Sequence, residues 1–104
     1  MAKNNDRIVN TTWTFLTNHS HVLICLHQDP ALRLRDIAER VGITERAVQR
    51  ILQELEEADI ITRHKEGRRN SYTIHSSGYL RHPLEGHCSI SDLLSMVEMS
   101  RKDK

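Results

Sequence analysis

Apolar residues recur at helical spacing through most of this chain and at strand spacing only briefly. Leu34, Ile37, Ala38 and Val41 stand at i, i+3, i+4 and i+7, which makes one stripe of one helix. Val48, Ile51, Leu52 and Leu55 form a second stripe, and Ile90, Leu93, Leu94 and Val97 a third, on a helix from about Ser89 to Glu98. The continuous run Val22 to Leu26 marks a further helix, capped by Thr17 or Asn18 and ended near Gln28 by Asp29-Pro30. Two short segments, Ile60 to His64 and Ser71 to His75, read as strands on either side of a turn, Lys65 to Asn70. Tyr72 and Ile74 then share the face that packs on the helices.

The two central stripes are punctuated closely. Gly42 stops the first helix, because it takes the left-handed conformation that a sharp exit needs. Thr44 stands where an N-cap oxygen accepts the orphan amides of the next helix, and Glu45 suits its positive end. Two helices crossing steeply over a short turn need a small residue at the crossing, a Gly in the turn and an aliphatic residue descending from the second helix. Ala38, Gly42 and Val48 occupy those places, with Ile37, Val41, Ile43 and Ile51 between them, and the stretch resembles a helix-turn-helix. Asp59 takes the helix exit where Gly would be easier, a position Asp tolerates through local hydrogen bonds. The order helix, helix, helix, hairpin gives a mainly α fold with a small β-hairpin wing: a winged helix-turn-helix with a three-helix core plus a C-terminal helix.

Residues 1–10 are polar and aperiodic, as in a disordered lead, and 101–104 read as a frayed tail. The winged domain is expected over 11–78, followed at 79–100 by a linker, loose from Ser76 to His87, and a C-terminal dimerisation helix. Thr11 to Thr17 is irregular and holds Trp13 and Phe15. Leu32-Arg33-Leu34 alternates and is expected to pair briefly with the hairpin. The run Val22 to Leu26 is apolar almost all round, so its helix needs a second surface. Either the segment with Trp13 and Phe15 wraps over it, or a second subunit does. The residues expected at a homodimer contact are Trp13, Phe15, Leu23, Ile24, Ile90, Leu93, Leu94 and Val97.

Composition narrows this little. The 104 residues make one domain with a net charge of +1, so any nucleic-acid argument rests on where charges lie. Two cysteines, Cys25 and Cys88, are no disulfide framework and fit a reducing cytoplasm. No apolar run is long enough for a signal peptide or a membrane span.

With Val48 facing inward, Arg46, Gln49, Arg50 and Gln53 face away. Arg can make paired hydrogen bonds to guanine and Gln to adenine, which suits this face to the major groove. Glu54, Glu56 and Glu57 gather at the far end, so the N-terminal half would enter first. Alone, the face could be merely solvated, with Arg50 paired to Glu54. The hairpin adds Arg63, Lys65, Arg68 and Arg69 against Glu66 alone, with Gly67 at its tip. Arg68 or Arg69 there can enter a minor groove while the others neutralise phosphates. Arg33 and Arg35 add phosphate contacts.

Over residues 14–75, on the stretches RLRDIAERVGITERAVQRILQELEEADII and RHKEGRRNSYTIH, the chain resembles winged helix-turn-helix transcriptional regulators of the MarR and ArsR type. The resemblance implies a homodimer on pseudo-palindromic double-stranded DNA, with Thr44–Ala58 in the major groove and the wing in the flanking minor groove. Recognition then falls on Thr44, Glu45, Arg46, Gln49 and Arg50, with Arg68 and Arg69 in the wing. Two departures stand out: Asp59 replaces the usual Gly, and the chain is shorter than most MarR proteins.

Two other functions fit the pattern less well. A winged helix serving as a protein-interaction module would keep the fold and lose the basic face. A metal-responsive repressor would draw on His21 with Cys25, or on His82, His87 and Cys88, yet no dense ligand set appears and no cofactor is expected. Catalysis lacks a phosphate loop, a nucleophile motif or a carboxylate pair.

Overall fold

The computed structural model describes residues 12–99, and the lead and tail expected at the two ends lie outside them. The element order is α1 (Asn18–Gln28), α2 (Leu34–Val41), α3 (Glu45–Glu57), β1 (Ile61–Glu66), β2 (Arg69–Ile74) and α4 (Ile90–Met99). Four helices with one antiparallel hairpin form a winged helix.

Each boundary has a local cause. Thr17 caps α1 through its hydroxyl, which accepts from the Ser20 amide, and Pro30 follows the Asp29 C-cap. Gly42 ends α2 at φ 87°, and the amides of Gly42 and Ile43 both return to the Ala38 carbonyl, at 2.8 and 3.1 Å. The Thr44 hydroxyl accepts from the Ala47 amide at 3.0 Å and opens α3. Asp59, at φ 65°, makes the left-handed exit from α3, and the Ile60 amide returns to the Leu55 carbonyl at 2.9 Å. Ser89 and Asp92 cap α4 reciprocally, each side chain accepting the other's amide, at 3.0 and 2.8 Å.

The core lies where α1, α2, α3, the base of the hairpin and α4 meet. Leu26, Ile37, Ile51, Ile61, Val22 and Val48 are its largest fully buried side chains, and no polar side chain among the described residues is buried with them. Tyr72 and Ile74 pack on its edge from one face of β2. The paired strands run from Ile61↔Ile74 to Glu66↔Arg69, longer than the sequence pattern suggested. The turn is only Gly67-Arg68, with Gly67 at φ 64° and Arg68 not left-handed, as a type II′ turn requires. Outside the protein body both hairpin faces meet water, so apolar alternation ceases before pairing does.

Two expectations are corrected. Leu32-Arg33-Leu34 does not pair with the hairpin, because Leu34 already begins α2; the Tyr72 amide instead donates to the Pro30 carbonyl at 3.1 Å. The segment after Ser76 is not loose. Tyr79 bridges Ser89, and the amides at the start of α4 reach back, Ile90 to the Gly78 carbonyl at 2.8 Å and Ser91 to that of Ser76 at 2.9 Å.

Candidate nucleic-acid interface

The fixed turn at Gly42 aims α3 across α2 with one face down. Val48, Ile51, Leu52 and Leu55 are buried on that face. The periodicity of the helix therefore turns Thr44, Glu45, Arg46, Gln49, Arg50 and Gln53 outward, and all six are exposed. Among the described residues, the side chains of Arg46, Gln49 and Arg50 have no hydrogen bond or ion pair. Gln53 differs, because its amide donates to the Glu57 carboxylate at 3.1 Å.

The acids at the far end of α3 are each engaged. Glu54 does not pair with Arg50; it meets the His19 ring at 2.6 Å and ties α1 to α3. Glu56 lies 3.7 Å from Arg63 and ties α3 to β1. Exposed pairs of this kind add little stability, about 0–1 kcal/mol each. Their effect here is geometric, since they leave Arg46 and Arg50 as unpaired charges on the outward face.

The wing stands beside α3 and encloses an open trough of about 1060 Å³. Arg33, Gln49, Gln53, Arg63, Arg68 and Arg69 all line it. Thr44, Glu45, Arg46, Arg50, Arg35 and Lys65 lie outside that trough but are exposed. The basic residues fall into two groups. Arg33 is paired with Asp36 at 3.2 Å, Arg63 with Glu56, and Arg69 donates to the Ala31 carbonyl at 3.2 Å. Arg68 at the wing tip, with Lys65 and Arg35, has no such partner among the described residues. Burial pushes the Tyr72 phenol up from its ordinary value, with Arg63 opposing and Glu56 adding, so the base of the trough carries a neutral phenol.

Sequence reasoning missed His19, the Glu56–Arg63 pair and the seat of Arg69 on Ala31. His19 and Arg69 meet partners 35 and 38 positions away, beyond any local pattern. The Glu56–Arg63 pair forms across the turn from α3 into β1, where no helical or strand period applies.

The expected dimer positions divide. Leu23, Ile90 and Leu94 are at most 4% exposed and belong to the chain's own core, so they are not available to a partner. Ile24, Leu93 and Val97 are half-buried. Trp13 and Phe15 do not wrap over α1; they are 63% and 91% exposed, with their rings edge to face at 4.9 Å. Cys25 is buried and its thiol is pushed up by that burial, with Arg40 opposing. Among the described residues no group of three or more His, Cys, Asp or Glu is placed to hold a metal. No described helix is long and apolar enough to cross a membrane.

Comparison with known proteins agrees with this geometry. Residues 16–62 match the family model of winged helix-turn-helix DNA-binding domains. Comparison with curated proteins returns no match. Among solved structures, the chain resembles MepR, a transcription regulator of the Staphylococcus aureus multidrug efflux pump MepA, at 24% identity and a TM-score of 0.53, over 82% of this chain and 60% of that one. It resembles a MepR variant bound to an oligodeoxyribonucleotide at 22% identity and a TM-score of 0.54, over 83% and 60% of the two chains. It also resembles ZitR of Lactococcus lactis, a zinc-responsive MarR family member, at 14% identity and a TM-score of 0.54, over 90% and 58%. The chain thus spans about 60% of the length of these proteins and shares their fold.

Proposed function

We propose that this winged helix-turn-helix domain reads double-stranded DNA sequence-specifically, as a homodimeric transcriptional regulator in the cytoplasm. The outward face of α3 lies in the major groove, with Arg46, Gln49 and Arg50 meeting base edges and Thr44 and Glu45 at the leading end. Arg68 enters the flanking minor groove, and Lys65 and Arg35 neutralise phosphates. The observation that carries this reading is the set Arg46, Gln49 and Arg50 on an exposed helix face beside Arg68, their side chains all without a partner among the described residues. Arg46 and Arg50 repel along the helix by a few tenths of a kcal/mol, and base acceptors relieve that repulsion. A second copy covers Trp13, Phe15, Ile24, Leu93 and Val97.

Selection from a random duplex library tests this. A dimer should enrich two inverted half-sites about one helical turn apart. Recovery of no preferred sequence, at salt low enough to retain duplex, would remove the specific-reader role and leave an interaction module as the better reading.

A further inference from the structure

Arg68 and Arg69 are neighbours in sequence and look interchangeable, yet the fold gives them different surroundings. Arg68 sits in the two-residue turn with no partner among the described residues. Arg69 opens β2, and its guanidinium donates 3.2 Å to the Ala31 carbonyl, in the turn between α1 and α2. Three residues on, the Tyr72 amide donates 3.1 Å to the adjacent Pro30 carbonyl. The seat is itself fixed. The Asp29 carboxylate accepts the Ala31 amide at 3.1 Å, the Asp29 carbonyl accepts the Leu32 amide at 3.2 Å, and the Pro30 ring locks its own φ.

A lone two-stranded hairpin is marginal in water and takes its direction from what it leans on. Among the described residues, this hairpin has two attachments beyond its apolar base. On one strand Arg63 meets Glu56 of α3 at 3.7 Å. On the other, Arg69 and Tyr72 hold the α1–α2 turn.

We infer that Arg69 is a positioning residue: it braces β2 against the Asp29–Ala31 turn, fixes the wing's angle to α3, and so delivers Arg68 to the DNA. This rests on the DNA-reading function proposed above. Adjacent arginines on the wing then differ in role, one touching nucleic acid and the other setting where the first can reach.

Two measurements test it, one without DNA. In the free protein, Arg69→Ala should speed amide hydrogen exchange at Tyr72 at least about threefold by loosening the adjoining brace, and Arg68→Ala should leave it unchanged. Unchanged exchange in Arg69→Ala overturns the brace whatever the protein binds. The second is a double-mutant cycle on affinity for a selected duplex. Arg68→Ala should weaken binding about fivefold per half-site near physiological salt, as for one lost cationic contact, and so about 25-fold for a symmetric dimer. Arg69→Ala should weaken it at least as much, and adding Arg68→Ala to it should cost less than about twofold more. Losses that multiply would show Arg69 acting independently on DNA and overturn the proposal, as would full affinity in Arg69→Ala. Fast Tyr72 exchange in a protein that binds no duplex would instead sink the DNA reading and leave the brace standing.

Discussion

Replacing Arg50 with alanine separates reading DNA from being folded. Arg50 is exposed on α3 and has no partner among the described residues, so its removal breaks no bond in the free protein. It also removes the like-charge neighbour of Arg46 one turn away, a gain of a few tenths of a kcal/mol. Alanine and arginine are both good helix formers, so stability should stay within about 0.5 kcal/mol of the parent, or about 2–4 °C in Tm. Binding should respond quite differently. A base-reading arginine is worth about 1–3 kcal/mol at each half-site, a factor of about 5–150, and a symmetric dimer loses it twice. Fluorescence anisotropy on a selected duplex, and on duplexes altered at one position at a time, reads the loss. Discrimination should relax at one base position per half-site. The parallel variant Arg81→Ala, in the loop after β2, should change nothing. Equal loss on every sequence would refute base reading, and a Tm drop well beyond 4 °C would refute the outward placement of the side chain.

Gly42→Ala isolates backbone strain, since nothing lies within 4 Å of the added Cβ and only φ 87° opposes it. Calorimetry should show a loss of about 1–2 kcal/mol, and an unchanged Tm would mean the turn is not left-handed. Trp13→Ser with Phe15→Ser should shift the mass seen by light scattering from dimer toward monomer at micromolar protein; a dimer as tight as the parent would place the subunit contact elsewhere. The raised Cys25 thiol carries a pH signature. Its stabilising effect is complete below the ordinary thiol value of 9.0 and is lost as pH climbs past it, because the unfolded chain releases that proton first. Denaturant titrations should therefore find less of the decline above pH 9 in Cys25→Ala than in the parent, and equal declines would exonerate the thiol.

The sequence revealed what local chemistry controls. Thr17, Gly42, Thr44 and Asp59 mark real boundaries because caps and left-handed exits demand particular residues at particular places. The outward face of α3 was equally legible, being the complement of a buried stripe. The wing's length was not, since Lys65, Glu66, Arg69 and Asn70 pair through backbone groups that carry no side-chain pattern. The same holds for the segment after Ser76, pinned by carbonyls of Ser76 and Gly78. Apolar stripes show that Leu23, Ile90 and Leu94 are buried but not by what, and here the answer is their own chain. The seat of Arg69 on Ala31 joins residues 38 apart in sequence, beyond any local signal.

The salt dependence of duplex binding bears most directly on the claim that this domain grips DNA through its α3 face and wing. With a dimer neutralising about six to ten phosphates, log affinity should fall linearly with log salt, roughly 10³–10⁵-fold between 50 and 200 mM. Affinity that is indifferent to salt, or no detectable duplex binding at 50 mM, would contradict it.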